Sequence, residues 1–208
     1  MKKLSLFIII GMLALFPGHS HAKQKGDLMD KKPKNAETAI FAGGCFWCIE
    51  SEFRGQPGVL YTVAGYMGGQ TPDPTYQDVS KGTTGHAEVV QVYYDPKKTS
   101  YEKLLIFFMI KAHDPTQLNK QGVDVGTQYR SAIFYQDTRQ KNIAQESIAQ
   151  LEGADIFDKP IVTTIEHAED FWPAEDYHQQ YYEKYKEKTG EDHIRVQYKK
   201  QQKAKKNR

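Results

Sequence analysis

The sequence predicts a single α/β (α+β) domain of two layers, a mixed β-sheet flanked by helices, with irregular loops between them. Length is the first reason: 208 residues hold one ordinary domain with tails, not two enzyme modules of about 120 residues or more. Element order is the second, because short β-rich runs alternate with helical spacings as β-α-β-β-α-β-α-β-α and no repeat is visible. Composition is the third: 39% apolar and 26% charged residues suit a folded chain rather than a disordered one.

The elements follow in order. Thr38 to Ala42 is a short apolar run ending at Gly43-Gly44, a buried strand and its turn. Cys45 to Phe53 has helical spacing, with Phe46, Ile49 and Phe53 on one face. Val59 to Tyr66 is β-rich and stops near Gly68-Gly69, and Thr71 to Gly85 is a polar loop with a short turn around Tyr76. His86 to Tyr94 reads as an alternating strand closed by Asp95-Pro96. Ser100 caps an apolar helix to Ala112, stopped by Asp114-Pro115, and His113 to Tyr129 is irregular. Arg130 to Tyr135 is a strand, and Asp137 caps a helix to Leu151 that carries Ile143, Ile148 and Leu151 on one face. Ile161 to Glu166 is a further strand, and Asp176 to Lys186 an aromatic-rich helix.

The two ends differ from the body. Residues 1–22 have a basic start (Lys2, Lys3), an apolar run from Leu4 to Phe16, and small residues Ser20 and Ala22 before a cleavage point. This is a signal-peptide layout and too short for a membrane span of ~20 apolar residues, so the chain is expected to be exported, periplasmic or secreted. Residues 23–36 form a basic linker, with five Lys against two Asp, and residues 199–208 a basic disordered tail with six basic groups and no acid. The body, 37–198, therefore carries 15 basic against 24 acidic groups. An acidic body with basic ends argues against nucleic-acid binding, which would put its basic patch on the fold.

Two cysteines are too few for a disulfide framework or a four-cysteine zinc site. Cys45 and Cys48 flank Phe46-Trp47 after a strand, at the start of a helix. Unpaired N–H groups and the positive end of the helix dipole meet there and favour a thiolate, so Cys45 is expected to have a lowered pKa and to act as a nucleophile. Gly43 and Gly44 allow the turn and a close substrate approach. A pair three residues apart on a helical turn lies within disulfide range, ~5–6 Å between Cα atoms. A structural disulfide and a Cys2His2 metal site are the bland alternatives, although the histidines of the body are scattered. Taken alone, Phe46 and Trp47 read as core, and Glu88 as a solvent-facing strand residue.

Gly44-Cys45-Phe46-Trp47, followed by Glu50, resembles the active-site motif of the A-type peptide methionine sulfoxide reductases. Further blocks resemble that family in order and spacing: 74–79 (PTYQDV), 84–88 (TGHAE), 113–117 (HDPTQ), 124–133 (DVGTQYRSAI) and 171–179 (FWPAEDYHQ). The resemblance implies that Cys45 attacks the sulfoxide sulfur and that Glu88 protonates its oxygen. It implies that Tyr76 and Tyr129 hydrogen-bond that oxygen, that Asp124 orients the site, and that Phe46 and Trp47 receive the S-methyl group. It implies no bound cofactor and no metal, an external dithiol reductant (thioredoxin or thioredoxin-like), and oxidised proteins and free methionine sulfoxide as substrates. The expected molecule is a monomer that repairs proteins. Glu50 and His178 match family motifs, and helix and site support is the favoured role for both.

The chain departs from the family in three places. It has no cysteine after Cys48, where many members keep a resolving one, so Cys48 itself is the candidate resolver of a Cys45 sulfenic acid. Val123 stands where Asn is frequent, and Ser80 where other members can have Cys. No space remains for a B-type partner domain, so the S-epimer alone is the expected substrate. Two competitors stay in view. A general thiol–disulfide oxidoreductase would explain the cysteine pair, and an exported metal carrier would use it as a ligand half. Neither accounts for the distant blocks.

Overall fold

The computed structural model describes residues 32–192. Residues 1–22, read as a signal peptide, most of the linker and the basic tail lie outside the described residues.

Strand β1 (Glu37–Gly43) opens the fold and runs into helix α1 (Phe46–Arg54), with Cys45 as the N-cap between them. Strand β2 (Val59–Met67), the short helix α2 (Tyr76–Ser80) and strand β3 (Ala87–Tyr94) follow. Helix α3 (Tyr101–Phe107) widens at its end into a π turn, Phe108–Ala112. A small hairpin, β4 (Lys120–Gln121) and β5 (Asp124–Val125), leads through a 3-10 turn at Thr127–Tyr129 into β6 (Ser131–Tyr135). Helix α4 (Thr138–Gly153), β7 (Thr164–His167), β8 (Trp172–Pro173), a 3-10 turn at Asp176–His178 and helix α5 (Tyr181–Thr189) complete the described chain.

The expected mixed sheet is present. Six strands lie in the order β7-β6-β1-β3-β2-β8, antiparallel throughout except for the parallel β6–β7 pair. Phe41 of β1 faces the helices and stacks on Phe53 of α1 (5.1 Å) and Phe108 of the π turn (4.8 Å). Its neighbours Ile40 and Ala42 face the other way, packing with Met67, Val89 and Phe134 under Ala168 and Phe171. Both faces of the central strands are therefore covered. This corrects the alternating reading of β3: all eight of its residues are buried, because neither face of the strand meets water. An aromatic at a site such as Phe41 stabilises the fold by about 3–5 kcal/mol relative to Ala.

The caps at Ser100 and Asp137 form as expected, each accepting from the backbone N–H three residues on, Lys103 and Gln140. Two boundaries need correction. The helix read over Asp176 to Lys186 is broken at Gln180, a non-glycine residue in left-handed geometry (φ 48°), because Glu50 accepts its backbone N–H at 2.8 Å. The strand read over Ile161 to Glu166 pairs only from Thr164, since Val162 donates instead to the Pro115 carbonyl. The β4–β5 hairpin and β8 escaped the sequence reading because two-residue strands carry no periodicity.

Candidate active site

The β1–α1 turn fixes the position of Cys45. Gly44 has φ +101°, and a Cβ there would lie 2.6 Å from the Gln121 Cβ of the small hairpin. Gly43 is shut in from behind, where a Cβ would stand 2.8 Å from the Phe108 ring and 2.9 Å from His113. His113 is itself held between the Phe108 carbonyl (2.9 Å) and the Ser131 hydroxyl (2.6 Å). The nucleophile loop is thus pinned on both sides by backbone that only glycine permits.

Glu88 stands on β3 opposite Tyr66 of β2 and is only 3% exposed. Its Oε2 accepts the Phe46 backbone N–H at 2.9 Å, one of the unpaired donors of the first turn of α1. Burial pushes its carboxyl from the ordinary 4.5 to about 8; the Phe46 N–H opposes this, and the negative charges of Asp124 and Cys48 add to it. The residue is therefore a carboxylic acid near neutral pH. This early-strand glutamate is inside because both faces of β3 are covered and the start of α1 lies over its side chain.

Tyr76, at the start of α2, and Tyr129, in the 3-10 turn before β6, are both half-buried. Burial raises both phenols, and the charges of Glu88, Cys45 and Asp124 act on each of them. Asp124, carried by β5, is also raised by burial. Cys45, Glu88, Tyr76, Tyr129 and Asp124 thus share one electrostatic neighbourhood, although they come from five separate segments. The structure brings every sequence-predicted site residue to this place.

The expected lowering of the Cys45 pKa is corrected. Hydrogen bonding with Cys48 holds the proton on Cys45, and burial and the charges of Glu88 and Cys48 push the same way. The Trp47 backbone N–H favours the thiolate but is outweighed. The helix terminus acts in the expected direction, and the second thiol and the buried acid beside Cys45 overcome it. Neither cysteine is in a disulfide, and the Cys48 sulfur lies 3.1 Å from the Tyr182 hydroxyl.

Phe46 and Trp47 play different parts. Phe46 is 1% exposed, packed against His178 (4.9 Å) and Tyr66 (5.8 Å). Trp47 is half-buried, stacks on Tyr181 at 3.7 Å, and donates its indole N–H to His178 Nδ1 at 3.0 Å. Of the two, Trp47 has the surface to meet a ligand, and Phe46 supports it from below. Burial lowers the His178 pKa to about 4, so the ring is neutral; with Nδ1 accepting, its proton sits on Nε2, 3.9 Å from Glu175 Oε2.

The sequence reading missed the scaffold of the tyrosines. Glu175 accepts the Tyr66 hydroxyl (3.0 Å) and the Tyr76 backbone N–H (2.9 Å), tying β2 to α2. Gln179 bridges the Ala64 N–H and carbonyl and the Ala174 carbonyl. Both lie in the 171–179 block, so a polar pair next to a matched aromatic block was the available signal. Glu50, 1% exposed, accepts from Thr62 (2.9 Å) and Gln180, and burial raises its carboxyl to about 7. Among the described residues, no group of three or more His, Cys, Asp or Glu side chains could hold a metal.

Comparison with known proteins gives a consistent result. The family model described as peptide methionine sulfoxide reductase matches residues 37–208. The chain is 55% identical over 147 residues to a peptide methionine sulfoxide reductase MsrA of Chromobacterium violaceum, covering 70% of this chain and 82% of the relative. Its fold is similar to that of methionine sulfoxide reductase A of Corynebacterium diphtheriae, at TM-score 0.64 and 35% identity, covering 79% of this chain and 80% of that one. It is also similar to Mxr1 of Saccharomyces cerevisiae in its reduced form, at TM-score 0.67 and 32% identity, covering 78% and 90%. A thiol beside a buried acid and two phenols, on this fold and with these relatives, places the chain in the peptide methionine sulfoxide reductase family.

Proposed function

We propose that the chain reduces methionine-S-sulfoxide, in proteins and as the free amino acid, by thiol chemistry at Cys45. The observation that carries this reading is Glu88, a carboxyl kept protonated near neutral pH within the electrostatic reach of the Cys45 thiol and two phenols. A sulfoxide oxygen must gain a proton before its bond to sulfur can break, and Glu88 is the acid poised to supply it. Tyr76 and Tyr129 donate hydrogen bonds to that oxygen as it gains negative character. Asp124 fixes the rim, and Trp47 offers the apolar face for the S-methyl group.

The atoms balance without a cofactor. The Cys45 sulfur bonds to the sulfoxide sulfur as Glu88 gives its proton to the oxygen, and the Cys45 thiol proton restores the acid. The hydroxyl then passes to the Cys45 sulfur as the bonds from the substrate sulfur to that oxygen and to Cys45 break, so methionine leaves and Cys45 remains as a sulfenic acid. Cys48 attacks that sulfur, water departs, and a Cys45–Cys48 disulfide remains. An external dithiol of the thioredoxin type returns it to two thiols. The role would be repair, since sulfoxidation turns an apolar side chain polar, and export would place it outside the cytosol.

The test uses pre-reduced full chain, excess methionine-S-sulfoxide and no reductant. One methionine and two thiols lost per chain are expected, with the R-epimer left unreduced. Cys48→Ser should form one methionine, hold a sulfenic acid and fail to turn over with a protein dithiol. Absence of methionine would refute the reading and favour thiol exchange, which insulin reduction would detect.

A further inference from the structure

Four consecutive residues at the start of α5 each meet α1. Gln180 donates its backbone N–H to Glu50 at 2.8 Å, and Tyr181 stacks on Trp47 at 3.7 Å with the rings 6° apart. The Tyr182 hydroxyl lies 3.1 Å from Cys48 Sγ, and Glu183 accepts from Arg54 Nε at 2.7 Å. The start of α5 is thus laid along α1 from Trp47 to Arg54, and the residue in its middle puts a phenol on the second thiol.

Packing alone does not account for that hydroxyl. The Tyr181 stack and the Glu183–Arg54 ion pair already hold α5 in place. Gln180 accepts a strained left-handed backbone to start the helix there, offset by its bonds to Glu50. The strained start fixes the rotation of the helix about its own axis. It therefore fixes which side chain reaches Cys48.

We infer that Tyr182 is a positioning residue for the resolving step, its hydroxyl orienting Cys48 Sγ toward Cys45 and donating to that sulfur as its proton leaves. The inference rests on the reading of Cys48 as resolver. In the step, a Cys48 lone pair forms the S–S bond and the Cys45 S–O bond breaks. The oxygen leaves as water, carrying the sulfenic hydrogen and the Cys48 proton. Cys48 is oxidised and the Cys45 sulfur is reduced, so no outside oxidant enters. A hydrogen bond to a sulfur bearing charge strengthens as the charge forms, so its loss should slow this step and leave sulfoxide reduction alone.

The experiment is a rapid-quench series on pre-reduced full-length Tyr182→Phe, with saturating methionine-S-sulfoxide and no reductant. Phenylalanine keeps the ring and removes only the hydroxyl. Methionine should form at the wild-type rate, while loss of the second thiol slows about tenfold and a dimedone-trapped sulfenic acid accumulates. Thiol loss at the wild-type rate would overturn the inference. So would equal slowing of methionine formation and thiol loss, which a merely structural role would give. Cys48→Ser supplied with a protein dithiol separates the two layers: sustained turnover in that variant overturns the resolver reading and this one with it, whereas a halted Cys48→Ser beside an unaffected Tyr182→Phe overturns this one alone.

Discussion

Replacing Glu88 with Gln tests the acid directly. The amide can keep the 2.9 Å contact from the Phe46 N–H, so the fold loses little, but it cannot give up a proton at neutral pH. With its pKa raised from 4.5 to about 8, the carboxyl is about nine-tenths protonated at pH 7, against a few parts in a thousand for an ordinary one. General acid catalysis contributes about 10²–10⁴-fold, so single-turnover methionine formation should fall by that range in Glu88→Gln. The wild-type rate should decline above about pH 8 as the acid ionises, and the variant should lose that limb. Stability should fall with rising pH as well, over a lower range. A carboxyl whose folded pKa is raised contributes stability that is full below its unfolded pKa and drains as pH climbs to the folded one. Between pH 4.5 and 8 the wild type should lose about 5 kcal/mol on this account, at about 1.4 kcal/mol per pH unit, and Glu88→Gln should not. Denaturant midpoints at pH 5 and 8.5, read beside quench-flow rates at both, check the pair. A variant within threefold of wild type in rate, or one with an unchanged pH profile, would refute the reasoning.

Three further outcomes are expected. On the proposed mechanism, in which the phenols bind the oxygen most strongly in the transition state, Tyr129→Phe and Tyr76→Phe should each lower kcat about tenfold with little change in KM; steady-state kinetics on free methionine sulfoxide reads this. Gly44→Ala should destabilise the fold by about 1–3 kcal/mol in urea melts, through its φ of +101° and the Gln121 contact, and should displace Cys45 enough to depress activity. Glu50→Gln should flatten the loss of stability between pH 4.5 and about 7, worth about 3 kcal/mol in the wild type, as followed by thermal melts across that range.

Much of this was legible in the sequence, and the rest fails for identifiable reasons. The Gly43 to Cys48 run announces a strand, a turn and a helix start in six residues, because each step needs a particular residue type. Caps at Ser100 and Asp137 are similarly local. The fate of Glu88 is not local: whether a glutamate on a strand is solvated depends on what covers that face of the sheet, and here the start of α1, 42 positions away at Phe46, lies over it. The protonation of Cys45 is only partly local: its largest cause is Cys48, three residues on, and burial and Glu88, 43 positions on, add to it. The split between Asp176–His178 and α5 was invisible because its cause is a carboxylate in another helix. Short pairings such as β8 against Gly65 and Tyr66 exist only once the sheet provides an edge.

The position of the acid within the sheet sets an order of failure. β3 has partners on both sides and no exposed residue, so its amides should exchange with solvent only when the whole domain opens. Tyr76 and Tyr129 ride on a one-turn helix and a 3-10 turn, segments of the kind that open in smaller, cheaper steps. Mild denaturant or warming should therefore scatter the two phenols while Glu88 stays in place. The chain would then lose turnover well before its spectroscopic signature of folding changes.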